Sequence, residues 1–314
     1  MSRIPYHKPA LSYQVQLQQL KDRGLKIEDD SKALFLLENI SYYRLSGYWY
    51  PMIQAPKSTH LFKKDASFDL AFQLYCFDRE LRKLVGAELE KIEVAIRAKM
   101  IYLLSHEYGP NWLNNTGIFK NSVSLNQTII KLKKDFERSD EQFIKSFKEN
   151  YNDPLPPSWM ILEISSFGTL SSLYKNLKPN RKKREISKYF GLDDSTFESW
   201  LHTIVYVRNV CAHHSRLWNR SMRITPSLPI TPTNSWLSVV DIEINGTTKP
   251  INNKTYFVLS MIIYLLNTVS PNNKFKQRLF NLLDRYSVVD LSAMGFSGSW
   301  QTEIIWKFNR DQIV

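Results

Sequence analysis

The segment Arg208-Asn209-Val210-Cys211-Ala212-His213-His214 places an anion clamp and a proton carrier five residues apart. Arginine offers a permanently charged planar fork that fits phosphate oxygens, and histidine exchanges protons near neutrality. Together they suit attack of a ribose 2′-hydroxyl on its adjacent phosphate. In that reaction His213 is general base or acid, Arg208 stabilises charge on the non-bridging oxygens, and Asn209 orients the imidazole or binds phosphate. The nucleophile is already on the substrate, so no metal or other cofactor is expected. Arg216 and Arg220 extend the positive charge as candidate contacts to a substrate backbone. His214, placed with the substrate-binding residues, is either a spare proton donor or simply a neighbour of the reacting pair. Cys211, His213, His214 and the distant His202 match none of the common zinc-pair spacings, so no metal ligands are expected among them.

The elements that carry this pair impose a geometric condition. Ser195-Thr196-Phe197-Glu198 reads as a capping box opening a helix whose apolar face is Phe197, Leu201 and Ile204, followed by Arg208. On an unbroken helix, residues 208 and 213 differ by five steps of about 100°, so their side chains diverge by about 140°. Either the helix ends or bends near Asn209, or the site takes its parts from two copies of the chain across a two-fold axis.

Arg-x4-His arises by chance roughly 0.3 times in a chain of this size and composition, so the neighbouring residues must carry the assignment. Arg-Asn-x-x-Ala-His resembles the signature of HEPN (higher eukaryote and prokaryote nucleotide-binding) ribonucleases. Its continuation, His214-Ser215-Arg216-Leu217-Trp218-Asn219-Arg220, resembles the Abi (abortive-infection) family of bacterial phage-defence proteins. Further stretches agree with that family in order. They are Tyr42-Tyr43-Arg44-Leu45-Ser46-Gly47-Tyr48-Trp49-Tyr50-Pro51, Phe77-Asp78-Arg79-Glu80-Leu81-Arg82, Ile92-Glu93-x3-Arg97, Trp159-x3-Glu163-x3-Phe167-Gly168-x-Leu170-Ser171 and Met294-Gly295-Phe296-x3-Trp300. The resemblance spans about residues 8 to 306.

It implies a mostly α fold: a HEPN-like helical bundle with an N-terminal helical extension and a small β-hairpin or loop insertion. It also implies a metal-independent endoribonuclease acting in phage defence, catalysed by Arg208, Asn209 and His213 and assembled as a homodimer. RNA is the expected substrate, and restraint of its cleavage by a protein or a small structured RNA is expected too. The alternative function is a non-catalytic RNA-binding or sensing module of a defence or toxin–antitoxin system.

Other residues carry two readings each. Glu163 either orients Arg208 through a bidentate pair or makes an ordinary interhelical salt bridge. Arg181, Lys182, Lys183 and Arg184 either bind an RNA backbone or form a solvated loop. Tyr42, Tyr43, Arg44, Tyr48, Trp49 and Tyr50 either stack on single-stranded bases or pack in the core. Asp78, Arg79, Glu93 and Arg97 read as a charged network holding long helices together, outside the catalytic set.

With 314 residues, 43% of them hydrophobic, the chain can bury a substantial core. A net charge of +12 favours a polyanionic partner. Two cysteines make no disulfide framework, and the first residues lack the apolar stretch of a signal peptide, so a reducing cytoplasm is expected. The most apolar run, Tyr256 to Leu266, is too short to cross a bilayer and predicts a buried helix, with no membrane association.

Ten glycines and recurrent three- and four-residue apolar spacing predict a helical chain. Helices are expected over 12–23 and 31–40 around a Gly24 turn. One long helix, kinked or straight at Gly86, is expected over about 67–105, another from Trp159, and more over 255–286. Residues 131–151 form a charged stretch ended by the Pro154-Leu155-Pro156-Pro157 turn. An aromatic N-terminal segment, 1–60, is expected to pack on a main domain, 61–314. The insertion, about 224–254, holds an alternating stretch at 240–244 and an Asn245-Gly246 turn signal.

Overall fold

Apolar residues at helical spacing draw the chain into one 41-residue helix, Phe68–Tyr108. Leu74, Phe77, Leu81, Leu89, Ile92 and Ile96 all lie buried along it. It is α4 in a computed structural model that describes residues 5–244 and 247–307. Gly86 lies within the uninterrupted helix, where a Cβ would come 3.9 Å from that of Cys211. That is ordinary van der Waals contact, so α4 and the helix carrying Cys211 meet there without requiring a glycine. Twelve α-helices are present among the described residues.

The first of two compact units comprises residues 1–80 and 281–289. It holds α1 (Tyr13–Asp22), α2 (Asp30–Ile40), α3 (Tyr42–Trp49) and the start of α4. Ser12 caps α1, Asp29 caps α2, which starts one residue ahead of expectation, and Ser41 caps α3. Gly24, at φ +85°, makes the expected turn. The division expected at residue 60 falls inside this unit, because α4 supplies part of its core. Buried Tyr48 donates to Asp78 at 2.6 Å, and Trp49 packs on Phe68 and, edge-on, on Tyr42. Glu80 accepts from Arg285 and from the Tyr286 hydroxyl, both at 2.8 Å, which ties residues 281–289 to this unit.

The second unit comprises 81–280 and 290–314. After the remainder of α4 come α5 (Ser122–Arg138), α6 (Gln142–Asn150), α7 (Ser158–Ile161), α8 (Phe167–Asn176), α9 (Arg181–Tyr189) and α10 (Asp194–Ala212). Helix α10 packs on α8 and α9, and α5 on α8. The charged stretch 131–151 is two helices, α5 and α6, separated at 139–141.

Strands β1 (Asp241–Ile244) and β2 (Thr247–Pro250) pair antiparallel, matching the expected insertion; the Asn245-Gly246 turn signal lies outside the described residues. The loop before them is pinned by buried Glu303, whose carboxylate accepts from Ser238 N, Ser238 Oγ and Val239 N at 2.8–2.9 Å. Two more helices follow, α11 (Thr255–Val269) and α12 (Phe275–Arg285), the latter reaching the first unit beyond Phe280. In α11, residues 255 to 266 are all buried. Ser260, the polar break in that apolar run, donates to Tyr256 O and accepts from Trp306 Nε1 at 2.9 Å, so burial leaves its hydroxyl satisfied. Among the described residues, no helix is long and apolar enough to cross a membrane.

Candidate active site

The cap of α10 lies two residues before Ser195, the cap that the sequence pattern offered. Asp193 is the cap, its Oδ1 accepting from Ser195 N and Thr196 N at 3.0 and 2.8 Å. Burial would raise the Asp193 pKa, but these bonds and those from the two hydroxyls outweigh it and hold the carboxyl below its ordinary value. Glu198, expected to complete the box, instead reaches Lys183 at 2.9 Å.

The other end of α10 decides the geometry of the Arg–His segment. The helix runs unbroken through Asn209 to Ala212, and His213 is its C-cap, donating its backbone N–H to Asn209 O at 2.9 Å. His214 N bonds to Cys211 O and Ser215 N to Val210 O, the paired terminal bonds of a Schellman motif. That motif needs a left-handed residue after the cap. His214 supplies it at φ +55°, where glycine is the usual occupant. Helix termination near Asn209 is therefore overturned: the stop comes at His214, a residue whose type does not announce it.

Arg208 and His213 accordingly leave one helix on different faces. Arg208 continues the Phe197, Leu201 and Ile204 face and turns toward α4, where its Nε lies 3.7 Å from Glu93 Oε2. Glu93 is itself held by Arg97 at 2.9 Å, and Arg97 also donates to Ser165 O at 3.1 Å. The Arg208 side chain remains 41% exposed. It opens on a cleft of about 550 Å³ between α4 and α10, lined by Arg82, Lys83, Gly86, Glu90, Glu93, Arg208 and Cys211, with both signs of charge. Glu93, placed in the sequence among structural charges, is thus the acidic partner of the candidate catalytic arginine. The Ile92-Glu93-x3-Arg97 pattern contained it, but its register against α10 exists only in the fold.

Asn209 is exposed, lies in angle between Arg208 and His213, and accepts a long bond of 3.4 Å from Arg208 Nη1. His213 and His214 are both exposed, whereas Arg216 and Arg220 are half-buried. Arg220 donates from Nε to the Tyr206 hydroxyl and from Nη1 to Arg216 O, each at 2.8 Å.

Glu163 does not reach Arg208. It follows α7 on the rim of a separate groove of about 710 Å³ that also contains Asp135, Arg138, Asp140 and Glu141. Of its two readings, the pairing with Arg208 is not made; the carboxylate beside Arg208 is Glu93 of α4, at 3.7 Å.

The basic run 181–184 is neither a loop nor uniformly solvated; it is the first turn of α9, capped by Asn180. Arg181 and Lys182 both pair with Glu185, at 2.7 and 2.8 Å. Lys183 is buried, bonded to Leu177 O and Glu198, which removes it from the candidate RNA contacts. Burial pushes its ammonium below the ordinary lysine value against the opposing pull of Glu198. Arg181 and Arg184 stay exposed. In the aromatic segment Tyr48 and Trp49 are core residues, while Tyr43 and Tyr50 are exposed. Among the described residues, no three His, Cys, Asp or Glu side chains cluster as a metal site.

Fold and site together define a mainly helical protein with an arginine clamped beside a cleft on one side of a helix and a histidine capping that same helix. The family model for Abi-like proteins matches residues 35–219, more than half of the chain, and the protein belongs to that family. Membership points to a role in abortive infection. The match is shorter than the expected 8–306 but includes Glu93, Arg97 and the whole 208–214 segment, and it stops one residue before Arg220. No curated protein and no solved structure matches the chain.

Proposed function

We propose that this Abi-like protein is a HEPN-type endoribonuclease that acts in phage defence within the cytoplasm, cutting RNA without a metal. The observation that carries this reading is Arg208, 3.7 Å from Glu93 with its guanidinium partly open to the cleft, on the same helix that ends at exposed His213. A guanidinium already at the cleft stabilises the charge that develops on a phosphate there. His213 takes the proton from the 2′-hydroxyl or returns one to the leaving 5′-oxygen, and Asn209 supplies a neutral donor and acceptor between them.

An unbroken helix favours the two-copy arrangement over a one-chain site. Isologous packing of two α10 helices offers the His213 of one copy to the Arg208 of the other. RNA fits the net charge of +12, and restraint by a partner protein or small structured RNA fits the danger of free cleavage in the host.

Digestion of single-stranded RNA by purified protein tests the reading. Products should carry 2′,3′-cyclic phosphate and 5′-hydroxyl ends, cutting should persist in chelator, and a 2′-deoxy substitution at the cleaved nucleotide should block it. Ends with 5′-phosphate, or activity restored only by magnesium, would mean different chemistry. The divergence of Arg208 and His213 within one chain favours a second reading, an RNA-binding or sensing module without catalysis. Tight RNA binding with no cleavage under any condition would select it.

A further inference from the structure

Helix α10 carries a second polar face that the Arg208 cleft does not use. His202, Tyr206, Asn209 and His213 recur at four-, three- and four-residue steps, which places them within about 60° of one another around the helix. His202, Asn209 and His213 are exposed and Tyr206 is half-buried, while the opposite faces bury Trp200, Leu201, Ile204 and Val207. Tyr206 and His213, seven residues apart, differ by only about 20° and by about 10 Å along the axis.

Arg220 returns over this face. Asn219, in the left-handed region at φ +47°, turns the chain immediately before it, a conformation asparagine tolerates better than most residues. The Arg220 Cζ lies 5.6 Å from the Tyr206 ring centroid, and its Nε donates to the Tyr206 hydroxyl at 2.8 Å. Nη1 spends one proton on Arg216 O at 2.8 Å. A guanidinium has five N–H donors, so these bonds leave about three for a ligand, including the Nη1 and Nη2 pair that binds phosphate oxygens bidentately. Among the described residues no carboxylate pairs with Arg220, in contrast to Arg208, whose charge is offset by Glu93. Its positive charge is therefore uncompensated locally, and its direction is fixed by a tyrosine and a main-chain carbonyl.

We infer that Arg220, positioned by Tyr206, forms a phosphate subsite on the His213 face of α10, one that holds an RNA phosphodiester flanking the bond to be cut. The inference rests on RNA being the ligand of this protein. It assigns the two arginines separate tasks. Arg220 anchors the strand on the face where His213 acts, and Arg208 serves the reacting phosphate from the cleft. Tyr206 is a positioning residue: its hydroxyl accepts from Arg220, and its ring supports the guanidinium.

Binding of a 2′-deoxy-substituted single-stranded oligoribonucleotide across a salt series, with the full-length protein, tests this. Arg220→Ala should weaken binding about tenfold and lower the slope of log affinity against log salt by about 0.7, the value of one phosphate contact on a single strand. Arg220→Lys should keep the slope, since it keeps the charge. Tyr206→Phe should also keep the slope while weakening binding, because the charge remains and only its orientation loosens. A merely structural arginine would give no such separation. Should Arg220→Ala fail to fold in a melting scan, Arg220→Gln replaces it, with the same loss of slope expected.

An unchanged slope in the folded neutral variant, or equal loss in Arg220→Lys, overturns the subsite alone. Wild-type protein that shows no salt-sensitive RNA binding overturns the RNA reading and the subsite with it. RNA held with the expected slope change but never cut supports the subsite and removes only the nuclease.

Discussion

Arg208 and His213 stand five residues apart on one unbroken helix and project about 140° from each other, the first toward Glu93 and the second into solvent at the helix end. The proposed cleavage, in which both act on one phosphate, then requires that they come from different copies of the chain. Arg208→Ala and His213→Ala, each inactive alone, should complement when mixed and allowed to exchange. Half the dimers would be mixed, each with one intact composite site, so activity should recover to about one quarter of wild type. Two inactive proteins that stay inactive after proven exchange would place the pair within a single chain.

The Glu93 carboxylate serves two arginines. Glu93→Gln should reduce RNA cleavage with little change in fold, since Gln keeps hydrogen bonding but loses the charge beside Arg208. Glu93→Ala also strips the largely buried Arg97 of its partner and should cost about 3 kcal/mol in chemical denaturation. Wild-type cleavage by a folded Glu93→Gln protein would remove Glu93 from the site.

The basic run at the start of α9 should divide by burial. Among the described residues, Lys183→Ala leaves Glu198 with only Lys120, at 3.8 Å, and should destabilise by about 3 kcal/mol, visible as a lowered melting temperature. Neutralising Arg181 and Arg184 should leave stability near wild type and reduce the salt dependence of RNA binding. If Lys183→Ala changes the salt slope while leaving melting untouched, the side chain is not held as described.

The cap of α10 gives a pH signature. The Asp193 carboxyl is held below its unfolded value by the Ser195 and Thr196 donors. Its contribution is therefore fully present above the unfolded pKa of about 3.9 and is lost as pH falls through the lower folded value. Asp193→Asn, which keeps capping geometry, should flatten stability in this acid window. Asp193→Ala should in addition cost about 1 kcal/mol at neutral pH. An acid limb identical in Asp193→Asn and wild type would show that the cap does not titrate as a carboxylate.

What the sequence disclosed follows from how local each signal is. The long helix α4 and the buried α11 were legible because Leu74, Phe77, Leu81 and the 256–266 run repeat a pattern that burial enforces residue by residue. The pairing of strands β1 and β2 was legible from alternation. Caps were less so: Ser195 and Glu198 satisfy the capping pattern, but Asp193, two residues earlier, takes the free N–H groups with a charged acceptor. The end of α10 was hidden because histidine, not glycine, occupies the left-handed position. Lys183 was misread because a charge declares its type but not its partner, whereas Glu93 and Arg97 form the charged network expected of them, extended to Arg208. Only the packing of α10 against its neighbours brings Arg208 near Glu93 and buries Lys183.

Trp49, edge-on to Tyr42 in the first unit, has an optical consequence. The chain has eight tryptophans, and Trp49 is the one that falls in residues 1–80 and 281–289. Indole emission thus samples the first unit through a single buried chromophore and the second through all the others. Trp49→Phe would make fluorescence a reporter of the second unit alone, and its difference spectrum against wild type would follow the first. Melting of the N-terminal helices could then be timed separately from loss of the α10 site, in one cuvette and without an added dye.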